Sequence, residues 1–333
     1  MCTVAATRRR CLQALAVGVL PVSGAAQPRV TIRLSHVVAQ QTPKGLALEY
    51  FKERAHTLSE GRIRVELYPN SVLYGDADEM QALQLGAVDM LAPSLSKFGR
   101  IGFPEFELFD LPFLFNASID VHRVMQGSVG VELLAALSRQ RMVGLGYLDN
   151  GFKHMSANRQ LLEPQDFVGL RMRVQGSRVI AHQMRVLGAK PVVLTFAETR
   201  RALATGVVDG TENPISNFWT QRMHEVQTDL SLTQHAYLGY CVVVHQRFWN
   251  HLMATDRSVI LEALEDALEW GNAIAQREND LGFAALQSSG ATRIHVPDAA
   301  QRQRLRHAMQ AVYTALQGRI GPQWLGRVQA LLS

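Results

Sequence analysis

The chain has 333 residues, long enough for two domains and a sizeable core, with 47% apolar and 19% charged residues and a formal net charge of +5. No run of 18 or more apolar residues occurs, so no mature transmembrane helix is expected. No Lys/Arg block of five or more occurs either, which argues against nucleic acid as a partner.

The N-terminus is different in kind from the rest. Arg8, Arg9 and Arg10 precede the apolar stretch CLQALAVGVLPV (11–22), and Gly24 and Ala26 place small residues before Gln27. This pattern reads as a secretory signal peptide over 1–26, cleaved near Ala26/Gln27, and predicts a periplasmic protein. TRRRCLQ also loosely fits a twin-arginine export signal. Removing 1–26 lowers the formal charge from +5 to +2 and takes away Cys2 and Cys11. Cys241, in GYCVVVH, then has no disulfide partner and is expected to be a small buried hydrophobe.

RVTIRLSHVV (29–38) reads as a β-rich entry strand. TPKGLALEYFKERAHTLS follows as a helix, with Thr42 as N-cap, Pro43 in the first turn and Gly61 beyond its end. RIRVELYP (62–69) alternates like a half-buried strand. GDADEMQALQLGAVD predicts a helix that Asp76 can cap, with Glu79 three residues on. VDMLAPS and RMVGLGYLD (141–149) predict strands flanking a helix near 129–140.

The pattern restarts after Asn150. LRMRV predicts a strand, then a helix capped by Ser177 and stopped at Gly188, then the strand KPVVL. Thr195 and Glu198 form a capping box for a helix ending at Gly206, and VVDG (207–210) reads as a short strand. HAYLGYCVVVH (235–245) predicts a long strand crossing back to the first domain, and 256–280 one long helix of about 35 Å. Two helices near 299–317 and 322–332 complete the chain. Strand–helix alternation in two successive units predicts an α/β fold of two domains without a loose linker.

No nucleophile elbow, P-loop, HExxH, CxxC or complete dinucleotide fingerprint is present, and the eleven histidines lack metal-ligand spacing. Neither an enzyme nor a cofactor is expected. Two polar stretches in the second unit remain, DGTENP and LRMRVQGS. On a strand Arg171 and Arg173 share one face, and periodicity does not choose between them. Arg173 lies nearer the strand end and Asn213 just past the end of another, so both are candidates to face a cleft. A guanidinium fork suits a carboxylate, and an asparagine amide can donate to the same group.

A longer set of segments carries a family resemblance: HVVAQQTPKG, YPNSVLYGDADEMQALQLGAVDMLAPSLSKFG, EFELFDLPFLF, LDNGFKHMSANRQL, GLRMRVQGS, LGAKPVV, ALATGVVDGTENPISNFWTQRMHEVQ and HAYLGYCVVVHQRFW. In this order, from about 31 to 252, they resemble the solute-binding component of TRAP transporters (tripartite ATP-independent periplasmic), DctP type. The resemblance implies a periplasmic-binding-protein-like clamshell with a long helix spanning both domains. It implies domain I at 27–150 plus about 239–278, domain II at 151–238 plus about 279–333, and a ligand cleft between them.

By the same resemblance Arg173 takes the arginine that salt-bridges the solute carboxylate, Asn213 the asparagine beside it, and Lys153 a second basic contact. Arg171 is not implied as a ligand. Phe196, His36, Asp76, Ser94, Tyr237 and Trp219 fall at positions that can reach the solute. Core packing for Phe196, Tyr237 and Trp219, and helix capping for Asp76, stay open as alternatives. Thr199 and Arg200 depart from an apolar–aromatic pair common in such proteins. The implied function is capture of a C4-dicarboxylate (malate, succinate or fumarate) by a monomer, for delivery to membrane subunits of the transporter. Capture of another organic acid, or a sensory role, is the alternative.

Overall fold

The computed structural model describes residues 30–332, so the predicted signal peptide lies outside the described residues. The first lobe opens with β1 (Val30–Ser35), α1 (Pro43–Leu58), β2 (Ile63–Tyr68), α2 (Glu79–Gln84) and β3 (Met90–Leu91). Two 3₁₀ segments, Leu95–Ile101 and Pro104–Asp110, lead to α3 (Ser118–Gln126), α4 (Ser128–Ala136) and β4 (Met142–Ala157). The second lobe adds β5 (Arg171–Val174), α5 (Arg178–Val186), β6 (Lys190–Val193), α6 (Phe196–Ala204), β7 (Gly210–Asn213) and α7 (Ile215–Thr220). The chain ends with β8 (Asp229–His245), α8 (Gln246–His251), α9 (Ala254–Ser289), β9 (Arg293–His295), α10 (Ala299–Ile320) and α11 (Pro322–Leu332).

One sheet runs β2-β1-β3-β8-β4-β7-β5-β6, with β9 beside β8. β1 pairs parallel with β2 and β3; β5 pairs parallel with β6 and β7. The long antiparallel pair β4–β8 joins the two parallel halves, from Met142↔His245 to Ala157↔Asp229. Its register shifts between Gly144 and Gly146, between Asp149 and Gly151 and between Lys153 and Met155. The sequence predicts β4 only over 141–149 and β8 only over 235–245; both run on into the second lobe.

α9 has 36 residues, about 54 Å at the usual rise, and is longer than the predicted 256–280. It packs on α1, β4 and α7 and so touches both lobes. Gly271 allows its close approach to α1, since a Cβ there would lie 2.5 Å from the Ala47 methyl. Asn272 and Asn279 pin the helix to the crossing strand: Asp149 N donates to Asn272 Oδ1 (2.8 Å) and Asn279 Nδ2 donates to Asn150 O (2.6 Å). No helix among the described residues is long and apolar enough to cross a membrane.

Local signals act as predicted at three helix starts. Thr42, Ser177 and Thr195 accept the amides of Gly45, Ile180 and Glu198. Two expectations need correction. Asp76 does not cap α2, whose N-cap is Asp78. The third strand of the second lobe is Gly210–Asn213 rather than 207–210, so Asn213 is its last residue. At the departure, the buried Thr199 hydroxyl donates to Thr195 O, and Arg200 pairs with Glu225.

Candidate functional site

The cleft opens where the ends of β5 and β7 face the first lobe. β5 lies between β6 and β7 in the sheet. Arg173 sits there, opposite Val192 and Thr211, and is only 2% exposed. Its Nε and Nη2 both donate to Leu194 O (3.1 and 3.0 Å), and its guanidinium lies 5.8 Å from the Phe196 ring centre. It makes no salt bridge among the described residues. Burial lowers its pKa, while the more distant Asp76, Glu212 and Glu198 pull the other way. A buried guanidinium with one carbonyl and no carboxylate is poised for an anion.

Arg171, two residues earlier, differs because of one neighbour. Its Nε and Nη2 donate to the two carboxylate oxygens of Asp209 (3.1 and 2.7 Å), and its side chain is 45% exposed. Its charge is matched at the surface.

Arg173 borders an outer chamber of about 410 Å³, walled by Asp76, Lys97 and Arg100 on one side and by Gln175 and Thr195 on the other. Asp76, Lys97 and Gln175 also line an inner chamber, together with Ser94, Phe196 and Asn213. The inner chamber has only about 10 Å³ of free space, about one water's worth. The outer chamber has the room for a small acid; the inner one brings Ser94, Gln175, Asn213, Asn217 and Tyr240 close together.

The walls meet through hydrogen bonds between the lobes. Phe196 N, in the first turn of α6, donates to Asp76 Oδ2 (2.5 Å), and Gln175 Nε2 donates to Ser94 Oγ (3.1 Å). Asp76 also pairs with the Lys97 ammonium, which in turn pairs with Glu79. Burial alone would raise the Asp76 pKa, but Lys97, the Phe196 amide and Arg173 hold it down at about 2. Burial would likewise lower the Lys97 pKa, and the Glu79 and Asp76 carboxylates raise it instead.

Asn213, at the end of β7, is 5% exposed, with only long contacts from its amide nitrogen, to Thr211 Oγ1 (3.4 Å) and Met223 Sδ (3.6 Å). Among the residues expected from sequence, Asp76, Ser94, Phe196 and Asn213 meet in the inner chamber, and Arg173 adjoins it.

The remaining four lie elsewhere. Lys153 is 1% exposed and sits behind the cleft wall, where its ammonium donates to Glu212 Oε1 (2.9 Å) and Gln175 Oε1 (3.2 Å). Glu212 is held to about 2: burial opposes ionisation, and Lys153 and His235 overcome it. His36, 1% exposed just after β1, lines neither chamber, and burial depresses its pKa to about 3. Tyr237 packs edge-on against Phe115 and Phe152, and Trp219 stacks on His224 with ring centres 4.2 Å apart.

Sequence reasoning missed Lys97, Arg100, Gln175, Asn217 and Tyr240. Gln175 carried a signal, since it immediately follows β5 and precedes the capping Ser177. Tyr240 lies mid-strand in an apolar run and carried none. Its hydroxyl accepts from Asn150 Nδ2 (2.7 Å), and the buried Lys44 ammonium lies 3.8 Å over its ring. Burial brings Lys44 down to about 7.

The chain matches the family described as bacterial extracellular solute-binding protein, family 7, over residues 34–319. It is 45% identical over 311 residues to the C4-dicarboxylate-binding periplasmic protein DctP of Rhodobacter capsulatus, covering 93% of each chain. Among solved structures it is similar to a TRAP periplasmic solute-binding protein from Sulfurospirillum deleyianum with bound succinate. That match has a TM-score of 0.89 and 39% identity, and covers 92% of this chain and 100% of that one. A homologue from Pseudomonas aeruginosa with bound L-malate matches with a TM-score of 0.83 and 36% identity, over 86% and 99% of the two chains.

Proposed function

The chain belongs to the bacterial extracellular solute-binding protein family 7, and from that membership we propose that it captures a C4-dicarboxylate such as succinate, malate or fumarate. Proteins of this family bind solutes for transporters and catalyse no reaction. The protein acts in the periplasm as a monomer, after cleavage of 1–26 near Ala26/Gln27. It delivers its solute to the membrane subunits of a TRAP transporter. Lobe I comprises 27–150 with about 239–278, and lobe II comprises 151–238 with about 279–333.

One observation supports the assignment above the others: the buried Arg173 guanidinium borders the cleft without a carboxylate of its own. A solute carboxylate there gains two parallel charge-assisted bonds and relieves a desolvated charge. Asn213 donates to the same carboxylate, and the Phe196 ring supports the guanidinium. Ser94 and Lys97 serve the distal carboxylate from lobe I, with Asp76 setting the Lys97 position. Lys153 acts through Gln175, while His36, Tyr237 and Trp219 support the walls. Arg100, exposed at the mouth, draws anions in. Closure excludes water and strengthens each of these pairs.

The test is a thermal-shift and calorimetric screen with succinate, L-malate and fumarate against pyruvate, benzoate and D-glucuronate. A ligand at 100 times its Kd stabilises by about 2.7 kcal/mol, so a C4-dicarboxylate should raise the Tm by several degrees. A rise with another acid and none with any C4-dicarboxylate would overturn the assignment.

A further inference from the structure

A second cavity, of about 330 Å³, shares no lining residue with the cleft. It lies against the crossing of β4 and β8, where Gly151 sits at a register shift and Gln234 has φ 45°. Its other walls come from the start of α7, from α9, from the segment leading into α10 and from the first turn of α10. About half of the lining is apolar: Phe152, Ile215, Leu232, Phe283, Val296 and Pro297.

Among the polar members of the lining, His154 and Arg302 are the two suited to hold an anion. His154 is 6% exposed, and its Nδ1 accepts the Gln234 amide (3.3 Å). A neutral ring that accepts at Nδ1 carries its proton on Nε2. That Nε2–H has no acceptor among the described residues. Burial, with His235 and Arg302 nearby, keeps the ring neutral down to about pH 3. Arg302 is the second donor. It gives Nη1 to Thr233 O (2.9 Å), lies 5.4 Å from the Phe113 ring centre and makes no salt bridge among the described residues. The single carboxylate in the lining, Asp280, is exposed on the rim and receives Gln276 Nε2 (2.8 Å).

We propose that this cavity binds a monocarboxylate with a short apolar body, its carboxylate taken by Arg302 and the Nε2–H of His154 and its chain laid on Phe152, Leu232 and Phe283. The volume is at the lower end of small-ligand sites, which span roughly 300–1,000 Å³. A second negative charge on the ligand is disfavoured, because Asp280 stands at the mouth and the lining has no Lys or Arg besides Arg302.

Hexanoate is the probe, titrated by calorimetry into protein saturated with succinate, with the ring ¹⁵N signal of His154 followed by NMR. Hexanoate should bind once per chain without displacing succinate and should shift the His154 Nε2 resonance. 1-Hexanol should bind at least about tenfold more weakly, because it lacks the charge that Arg302 pairs with. Arg302→Gln should weaken hexanoate by at least about tenfold and leave succinate affinity unchanged. Val296→Asp, at a rim position 71% exposed, places a repelling charge without disturbing buried groups and should weaken hexanoate similarly. Hexanoate that only competes with succinate, equal binding of hexanol, or no His154 shift at millimolar hexanoate would each overturn the proposal. Should succinate itself fail to bind, the His154 signal still decides the second site by itself.

Discussion

Replacing Arg173 with methionine separates a solute-binding arginine from a structural one. The substitution keeps an unbranched stem in the β5–β6–β7 layer and deletes a guanidinium that is 2% exposed and, among the described residues, hydrogen-bonds only to Leu194 O. In the free protein two effects oppose each other. The variant no longer buries an uncompensated charge, but Leu194 O loses its donors at a cost of about 1–3 kcal/mol. The fold should therefore change little in Tm. In the complex the same change leaves a buried solute carboxylate unpaired, at a cost of about 3–5 kcal/mol, or roughly 10²- to 10⁴-fold in Kd. Arg171→Met removes a surface charge already matched by Asp209 and should leave succinate affinity within about twofold. Arg173→Lys, which keeps the charge and loses the fork, should fall between. Calorimetry with succinate on all three variants, with Tm measured beside it, checks the set. Affinity of Arg173→Met within about threefold of the parent, or equal losses for Arg171→Met and Arg173→Met, would refute the reasoning.

Acid should weaken the fold below neutral pH. Burial depresses His36 and His154 from 6.5 to about 3, so between those values the unfolded chain binds protons that the folded one refuses. That stability is fully present above pH 6.5 and declines by up to about 1.4 kcal/mol per pH unit for each histidine as pH falls toward 3. Asp110, which burial pushes up to about 6, and His122, raised by its bond to Asp149, act in the opposite direction and offset part of the loss. In urea titrations His36→Asn should lose less stability than the parent between pH 7.5 and 5; parallel profiles would count against this account. Gly151→Ala should destabilise by about 1–3 kcal/mol, because φ there is 142° and a Cβ would lie 2.9 Å from Asn279 Nδ2. An unchanged urea midpoint in that variant would show that the crossing tolerates a side chain.

The helix starts were legible because their signals are short-range. Thr42, Ser177 and Thr195 each bond to an amide three residues away, so the motif and the contact lie in the same few letters. The family resemblance reached further, to the clamshell and its bracing helix, through many matched segments rather than any one. β4 was legible only to 149, since NGFKHMS shows no apolar alternation. Its polar members are buried against partners far along the chain: Asn150 with Tyr240, and Lys153 with Glu212.

The sequence alone determined the order of elements, the caps and the pair of arginines on one strand face. Tertiary structure decided what each charge does. Asp76 has the spacing of a helix cap, yet it accepts the amide of Phe196, 120 residues away. Arg171 and Arg173 are equivalent by periodicity, yet Asp209, 38 residues on from Arg171, neutralises that arginine and leaves the other buried and unmatched. Local pattern encodes hydrogen bonds that close within a turn. The free energy of a buried charge depends on partners and water exclusion that exist only once distant segments are packed together.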